Sequence, residues 1–368
     1  MPRSFICGSR KNDKGDYDSG NVTFTTAEQR LQAYQIAPSG YLRGVLLLVT
    51  NVTAGNAAAV AFNENGPWNS LSVIRFLDTN SRPFIGTLTG YDVYILNKYG
   101  GYTFSGDPMA SSAFSETTGA GATGGSFTLV LYLPLEIMAR NALGSQLNKS
   151  GAAQFSLEMF MAATATVFSV APTNAGTFRV RSTLMSWLDP EDTDARGNPV
   201  QQDPPYLNTT QRWEKQAGLP ISAGERTNRF QGIDGLVRMI IFINYRSAST
   251  RVLGEGDFPD PISVKYEESF LIQSRLKSIF RDMVSRAYGY FGTAEAVNAH
   301  DNGVFPIFEF TQDFSRKPGN ELTRTYLPMS SASNLELSGS WVTASTLDVL
   351  VNKVVPYPQG ELKGLAVL

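Results

Sequence analysis

Residues 39–49 read SGYLRGVLLLV and residues 234–243 read DGLVRMIIFI, so Gly40 and Arg43 recur as Gly235 and Arg238, an offset of 235 − 40 = 195. A near-continuous run of Val, Leu and Ile opened by a glycine turn is the pattern of a fully buried sandwich-core strand. Its recurrence predicts two copies of one domain.

The order of motifs after each copy agrees. Pro67 in NGPWNSLSV answers Pro261 in FPDPISV, each where a loop enters a β-rich run and a missing N–H costs little. Further on, Phe127, Leu129, Val130 and Tyr132 align with Phe305, Ile307, Phe308 and Phe310, and Leu157-Glu158-Met159 aligns with Leu335-Glu336-Leu337, both at an offset of 178. The lost 195 − 178 = 17 residues point to a loop insertion in the first copy. Residues 105–125, SGDPMASSAFSETTGAGATGG, are its expected place, because no stretch of that composition occurs in the second half.

Bulk properties fit two β-rich domains. The chain has 368 residues, 42% hydrophobic and only 17% charged, with 33 Gly and 19 Pro. That length exceeds one ordinary core, and the composition is that of strands and loops. A formal net charge of −2 gives no reason to expect nucleic-acid recognition. No run approaches a transmembrane helix, and Phe5-Ile6-Cys7 is too short for a signal-peptide core, so synthesis in a cytoplasm is expected.

The inventory for chemistry is nearly empty. With one cysteine, Cys7, and one histidine, His300, an internal disulfide and a Cys/His zinc site are impossible, and any triad would need His300, which sits in the polar turn VNAHDNG. The glycines of TGAGATGG precede no Lys-Ser or Lys-Thr and open no helix, and no local pattern nominates a carboxylate pair. The acids Asp189, Glu191, Asp192 and Asp194 lack the spacing and glycine of a calcium loop. No catalytic, cofactor-binding or metal-binding residue is predicted, and no cofactor. The sequons at Asn21, Asn51, Asn148 and Asn208 mean little without secretion.

Along the chain, 1–24 read as an N-terminal arm, basic at Arg3, Arg10 and Lys11, then acidic at Asp13, Asp16 and Asp18. It is either a frayed tail or an arm that docks on a neighbour or an anionic surface. Residues 25–188 make a first sandwich carrying the insertion 105–125, 189–225 a Pro-rich linker, 226–356 a second sandwich, and 357–368 a tail. Residues 87–99 fit a strand or a short helix equally, with Tyr91, Tyr94, Ile95 and Tyr99 at roughly helical spacing. Leu135, Met138 and Ala139 fit one or two helical turns stopped by Gly144. Residues 266–292 form the most helical stretch, with Phe270, Ile272, Leu276, Ile279, Phe280, Met283 and Tyr288 along a broad face, and core packing is its expected use.

Two tandem sandwiches, each with a Gly-x-x-Arg core strand, a Pro-led second strand, a strand running into LPLEIMARNALGS and an alternating strand QFSLEMF, resemble the double jelly-roll major capsid proteins of tailless icosahedral viruses such as the tectivirus-like bacteriophages. The resemblance covers roughly residues 25–356. It implies a mainly β fold of two eight-stranded antiparallel jelly rolls with short helices, and a non-enzymatic structural role in the virion. It implies homotrimers of pseudo-hexagonal outline that tile with neighbouring trimers, contacts with other virion proteins such as a vertex protein, and in some members an internal membrane. Residues 105–125 then correspond to a tower loop and 1–20 to a base arm. The long helix around 267–289 has no equal in the first copy on this reading. The alternative is a β-sandwich receptor- or carbohydrate-binding spike protein, and a hydrolase is a distant third. Exposed aromatics with acids on loop tips would favour binding, and apolar side walls would favour assembly.

Overall fold

A computed structural model describes residues 3–4, 9–54, 56–100, 107–121, 123–139, 142–189, 193, 195–198, 202–203, 209–246, 259–288, 303–307, 326–330 and 332–356. Cys7, His300, Asn208, Glu191, Asp192, Asp194 and the tail 357–368 lie outside these residues. The chain divides into two compact units, the first within Met1–Lys98, Asp107–Arg212 and Pro356–Val367, the second within Tyr99–Gly106 and Trp213–Val355.

The first unit contains β1 (Lys11–Asp18), β2 (Gln29–Arg30), β3 (Gly40–Val52), β4 (Leu71–Leu77), β5 (Pro83–Leu88), α1 (Gly90–Tyr99), β6 (Phe127–Pro134), β7 (Ser156–Met161) and β8 (Thr177–Trp187). One sheet runs β6-β3-β8-β1 and the other β5-β4-β7-β2, with antiparallel pairing throughout. Strands far apart in sequence are therefore neighbours in space, and each sheet alternates early and late strands. That is jelly-roll connectivity.

The second unit repeats the plan element by element. Its strands are β9 (Thr209–Ile221, of which Thr209–Arg212 still belong to the first unit), β10 (Gly224–Phe230), β11 (Gly235–Tyr245), β12 (Ile262–Tyr266), β13 (Ser269–Arg275), β14 (Val304–Ile307), β15 (Leu335–Trp341) and β16 (Ser345–Pro356), with α2 (Lys277–Tyr288) after β13. Its sheets run β14-β11-β16-β9 and β13-β12-β15-β10, which is the first roll with every strand number raised by eight.

Alternation makes the core. In β6 Phe127, Leu129, Leu131 and Leu133 are buried beside Val45, Leu47 and Val49 of β3, and Val180 and Leu184 complete the layer from β8. Side chains two apart share a face, so each strand gives one row to the sandwich. Phe24, Phe127, Phe168 and Phe178 fill one region with ring centroids 5.4–6.5 Å apart. Pro67 and Pro261, aligned from sequence, lie ahead of β4 and β12, and both follow cis peptide bonds.

Register refines the alignment. Leu47 of β3 faces Leu131, whereas Phe242 of β11, its counterpart at 195, faces Phe305, so the strands correspond at 305 − 131 = 174 rather than 178. The difference of four is even, so the same faces point inward, which is why the motif match survives a wrong register. The first roll holds 195 − 174 = 21 more residues between these strands.

Several local expectations change. Lys11–Asp18, expected in an arm, pairs along β8, and Thr209–Ile221, expected in the linker, lies beside Ser345–Pro356. The Leu135–Ala139 region is not helical: Met138 and Leu143 form a bridge, and Gln146–Asn148 pairs with Gly40–Leu42. In the second roll Leu327–Met329 pairs with Gly235–Val237 in the equivalent position. Residues 87–99 divide into the end of β5 and α1, which resolves the ambiguity there. The stretch 266–292 is no single helix either. Tyr266 to Arg275 is a hairpin turning at Glu267 (φ 50°), and only Lys277–Tyr288 is helical. It therefore has an equal in the first roll, because α1 follows β5 as α2 follows β13.

Candidate functional site

Each Gly-x-x-Arg motif builds the same irregularity. Gly40 and Gly235 have φ of +72° and +92°, a region open to glycine at no steric cost, and each starts its core strand. Against β8 the register passes from Gly44 opposite Met185 to Leu42 opposite Ser186, leaving Arg43 as an extra residue. Against β16 it passes from Met239 opposite Asn352 to Val237 opposite Lys353, leaving Arg238 as the extra one. Both arginines are thus bulge residues, re-aimed by the local kink.

Buried cations need partners, and the two rolls supply different ones. Arg43 donates through Nε and Nη2 to Glu136 Oε2 at 3.0 and 2.8 Å, and its guanidinium lies 4.6 Å from the Trp187 ring centre. Glu136 Oε1 accepts from Trp187 Nε1 at 2.7 Å and from Ser145 Oγ at 3.4 Å. Gln211 Nε2 donates to the carbonyls of Leu135 and Glu136. In the second roll Arg238, wholly buried, donates to Asn352 Oδ1 at 3.4 Å and to the Gly100 carbonyl at 3.0 Å.

This arrangement cannot do acid–base work. Both oxygens of Glu136 are occupied by donors and the group is buried, so it offers no lone pair to a substrate or metal. Among the described residues no group of three or more His, Cys, Asp or Glu could hold a metal ion. Asp189 is spent on a surface pair with Lys149 at 2.7 Å. The sequons at Asn51 and Asn148 are buried, which removes them as attachment points.

The Leu-Glu motif also repeats in three dimensions. Glu158 on β7 faces Arg75 in register and binds Arg30 at 2.8 Å, while Glu336 on β15 faces Lys265 and binds Arg229 at 2.9 Å. A cross-strand carboxylate between basic neighbours stitches the same three strands in each roll. In the second roll Lys353 is shared by Asp234 at 2.6 Å and Glu214 at 2.9 Å; burial pulls its pKa down, but the two carboxylates outweigh this and hold it above the ordinary lysine value.

One end of the first roll is capped by its own small sheet, Gly119–Gly121, Asn56–Phe62 and Phe168–Val170. The segment from Asp107 is tied down: Asp107 binds Lys98 Nζ at 2.9 Å and accepts from Tyr94 Oη at 3.2 Å, and Phe114 stacks on Trp68 with centroids 5.1 Å apart. Phe114 is thus turned inward. Phe270 on β13 is the one exposed aromatic among the described residues, so they present no aromatic cluster of the kind glycan sites use. Sequence reasoning nominated no site residue; the pairing of Arg43 with Glu136, 93 positions apart, carries no local signal.

The fold these features define is a double jelly roll, mainly β, with extensive antiparallel sheets and short helices. No family model and no curated protein matches the chain. Solved structures do. The crystal structure of the STIV MCP superposes with a TM-score of 0.63 at 11% identity, covering 97% of this chain and 100% of that one. The quasi-atomic PBCV-1 virus capsid gives 0.59 at 10%, covering 94% and 93%. The major capsid protein P2 of bacteriophage PM2 gives 0.53 at 8%, covering 95% and 99%. At such identities the likeness is one of fold. It extends beyond bacteriophages, so it does not single out the tectivirus-like group that the sequence resembles.

Proposed function

We propose that the chain is a major capsid protein that assembles as a homotrimer of pseudo-hexagonal outline and tiles an icosahedral virion shell. The observation that carries this reading is the strand-for-strand repetition of one jelly roll within a single chain, shared over nearly full length with solved capsid proteins. Two similar rolls per chain let three chains approximate six-fold packing, and closed symmetry supplies repeated interfaces without a catalytic group. The lack of an exposed aromatic cluster among the described residues favours this over a glycan- or receptor-binding spike. Neighbouring trimers, a vertex protein and, in a membrane-containing virion, a lipid layer are the expected partners; a tectivirus-like bacteriophage is the source that the sequence pattern favours.

The test is the native mass of the purified chain with electron micrographs of the same sample. A particle of about 120 kDa, three times 40.1 kDa, with a six-sided outline is expected. A monomer at all concentrations, joined by selective binding to a glycan array, overturns the reading in favour of a spike.

A further inference from the structure

α1 and α2 hold the same place in their rolls, and each helix braces the strand that follows it. Asn97 of α1 donates to the Tyr132 carbonyl at 2.6 Å and accepts from its N–H at 2.8 Å; Arg281 of α2 donates to the Val304 carbonyl at 3.4 Å, and Phe280 packs on Phe305 with centroids 6.0 Å apart. The helices differ in cover. Every residue of α1 is buried, polar ones included. α2 buries only Phe280 and Val284, and Leu276, Ile279 and Met283 remain 52%, 51% and 36% exposed.

Spacings of three and four place these side chains on one stripe. Aliphatic and Met side chains in contiguous exposure mark an interaction surface. Its surroundings are cationic: residues 275–288 hold Arg275, Lys277, Arg281 and Arg286 against Asp282, a net of 4 − 1 = +3, so the rest of the chain carries −2 − 3 = −5. The repeated fold already covers a helix at the equivalent place, and the remainder of the same molecule has the opposite charge. A second copy of this chain meets both conditions.

We infer that the stripe formed by Leu276, just before α2, with Ile279 and Met283 of α2 is an interface core, covered in the assembled particle by another copy of the chain. This rests on the capsid reading and assigns the face through which the copies join.

The experiment uses the full chain with Ile279→Asp and Met283→Asp, singly and together, and Val342→Asp as a control at an isolated residue that is 69% exposed. Mass is measured by sedimentation, folding by circular dichroism and melting. Wild type and V342D are expected to be trimers, and the double variant a folded monomer with at least a tenfold weaker self-association. A double variant that stays trimeric with unchanged melting overturns the inference and leaves the capsid reading intact. One that stays trimeric but melts lower shows the stripe to be covered within its own chain, which also overturns it. A wild type that never assembles sinks the capsid reading first; if it then co-sediments with phosphatidylglycerol vesicles and I279D/M283D does not, the stripe faces lipid instead.

Discussion

Arg43 and Glu136 meet 2.8 Å apart inside the first roll, the arginine on a β-bulge and the glutamate just past the end of β6. The pair is closed off by Trp187, which gives its indole N–H to one carboxylate oxygen and its ring face to the guanidinium. Removing one partner strands the other charge in a buried site. Glu136→Gln is therefore expected to destabilise the folded chain by about 3–5 kcal/mol, read from urea unfolding. The double variant Arg43→Met/Glu136→Gln should lose less than the sum of the two singles, and strict additivity would show that they are not coupled.

The two motif glycines should respond differently to alanine. Both sit at positive φ, which costs an L-residue about 1–2 kcal/mol. A Cβ on Gly40 would also fall 2.3 Å from the Trp187 carbonyl oxygen, whereas on Gly235 the nearest atom is 3.6 Å away. Gly235→Ala is expected to show the backbone cost alone and Gly40→Ala a clearly larger loss in melting temperature. Equal losses would mean that the crowding is relieved by movement of β8.

Asn97 supplies both an acceptor and a donor to the backbone of Tyr132. Asn97→Leu keeps the volume but leaves an N–H and a carbonyl without those bonds, at about 1–3 kcal/mol each. The expected sign is a faster hydrogen exchange of the Tyr132 amide, with β3 amides less affected. Unchanged exchange at Tyr132 would argue against the brace.

Acid should loosen the β1–β8 seam. The Arg179 side chain and the Gly20 N–H hold the Asp18 carboxyl at about 2, below its ordinary 3.8. A depressed pKa in the folded state adds stability above the unfolded value, and that stability is lost as pH falls from about 3.8 toward 2. The group is exposed, so the effect is small and salt-sensitive. Asp18→Asn should melt below wild type near neutral pH, and the gap should close in the acid range. A gap that persists at low pH would assign the loss to packing.

How much was legible in the sequence follows the physics of each strand. β11 is buried on both faces, and β3 is buried over its first half with Leu46 and Leu48 half-buried beyond, so both announce themselves as apolar runs; β7 and β15 alternate. β1 and β9 were missed together, as KNDKGDYD and TTQRWEKQAGLPI, because so few of their residues are apolar that neither shows a period-two pattern. The Tyr266–Arg275 hairpin was absorbed into a helix because Phe270 and Ile272, two apart on a strand, also fall within a broad helical face when joined to Leu276 and Ile279.

Local patterning by itself determined that this chain is a duplicated β-sandwich: the Gly-x-x-Arg strands, the prolines ahead of β4 and β12 and the Leu-Glu motifs recur in order, because burial and turn geometry impose their residue types at short range. It also left a nearly empty inventory of catalytic and metal-binding residues. Tertiary structure alone decided the order of strands within each sheet, that Arg43 is neutralised by Glu136 while Arg238 binds Asn352 and a carbonyl, and that α2 keeps an apolar stripe in water where α1 keeps none. Those features depend on contacts between residues roughly a hundred or more positions apart, and hydrophobic periodicity records which face of an element is buried but not what buries it.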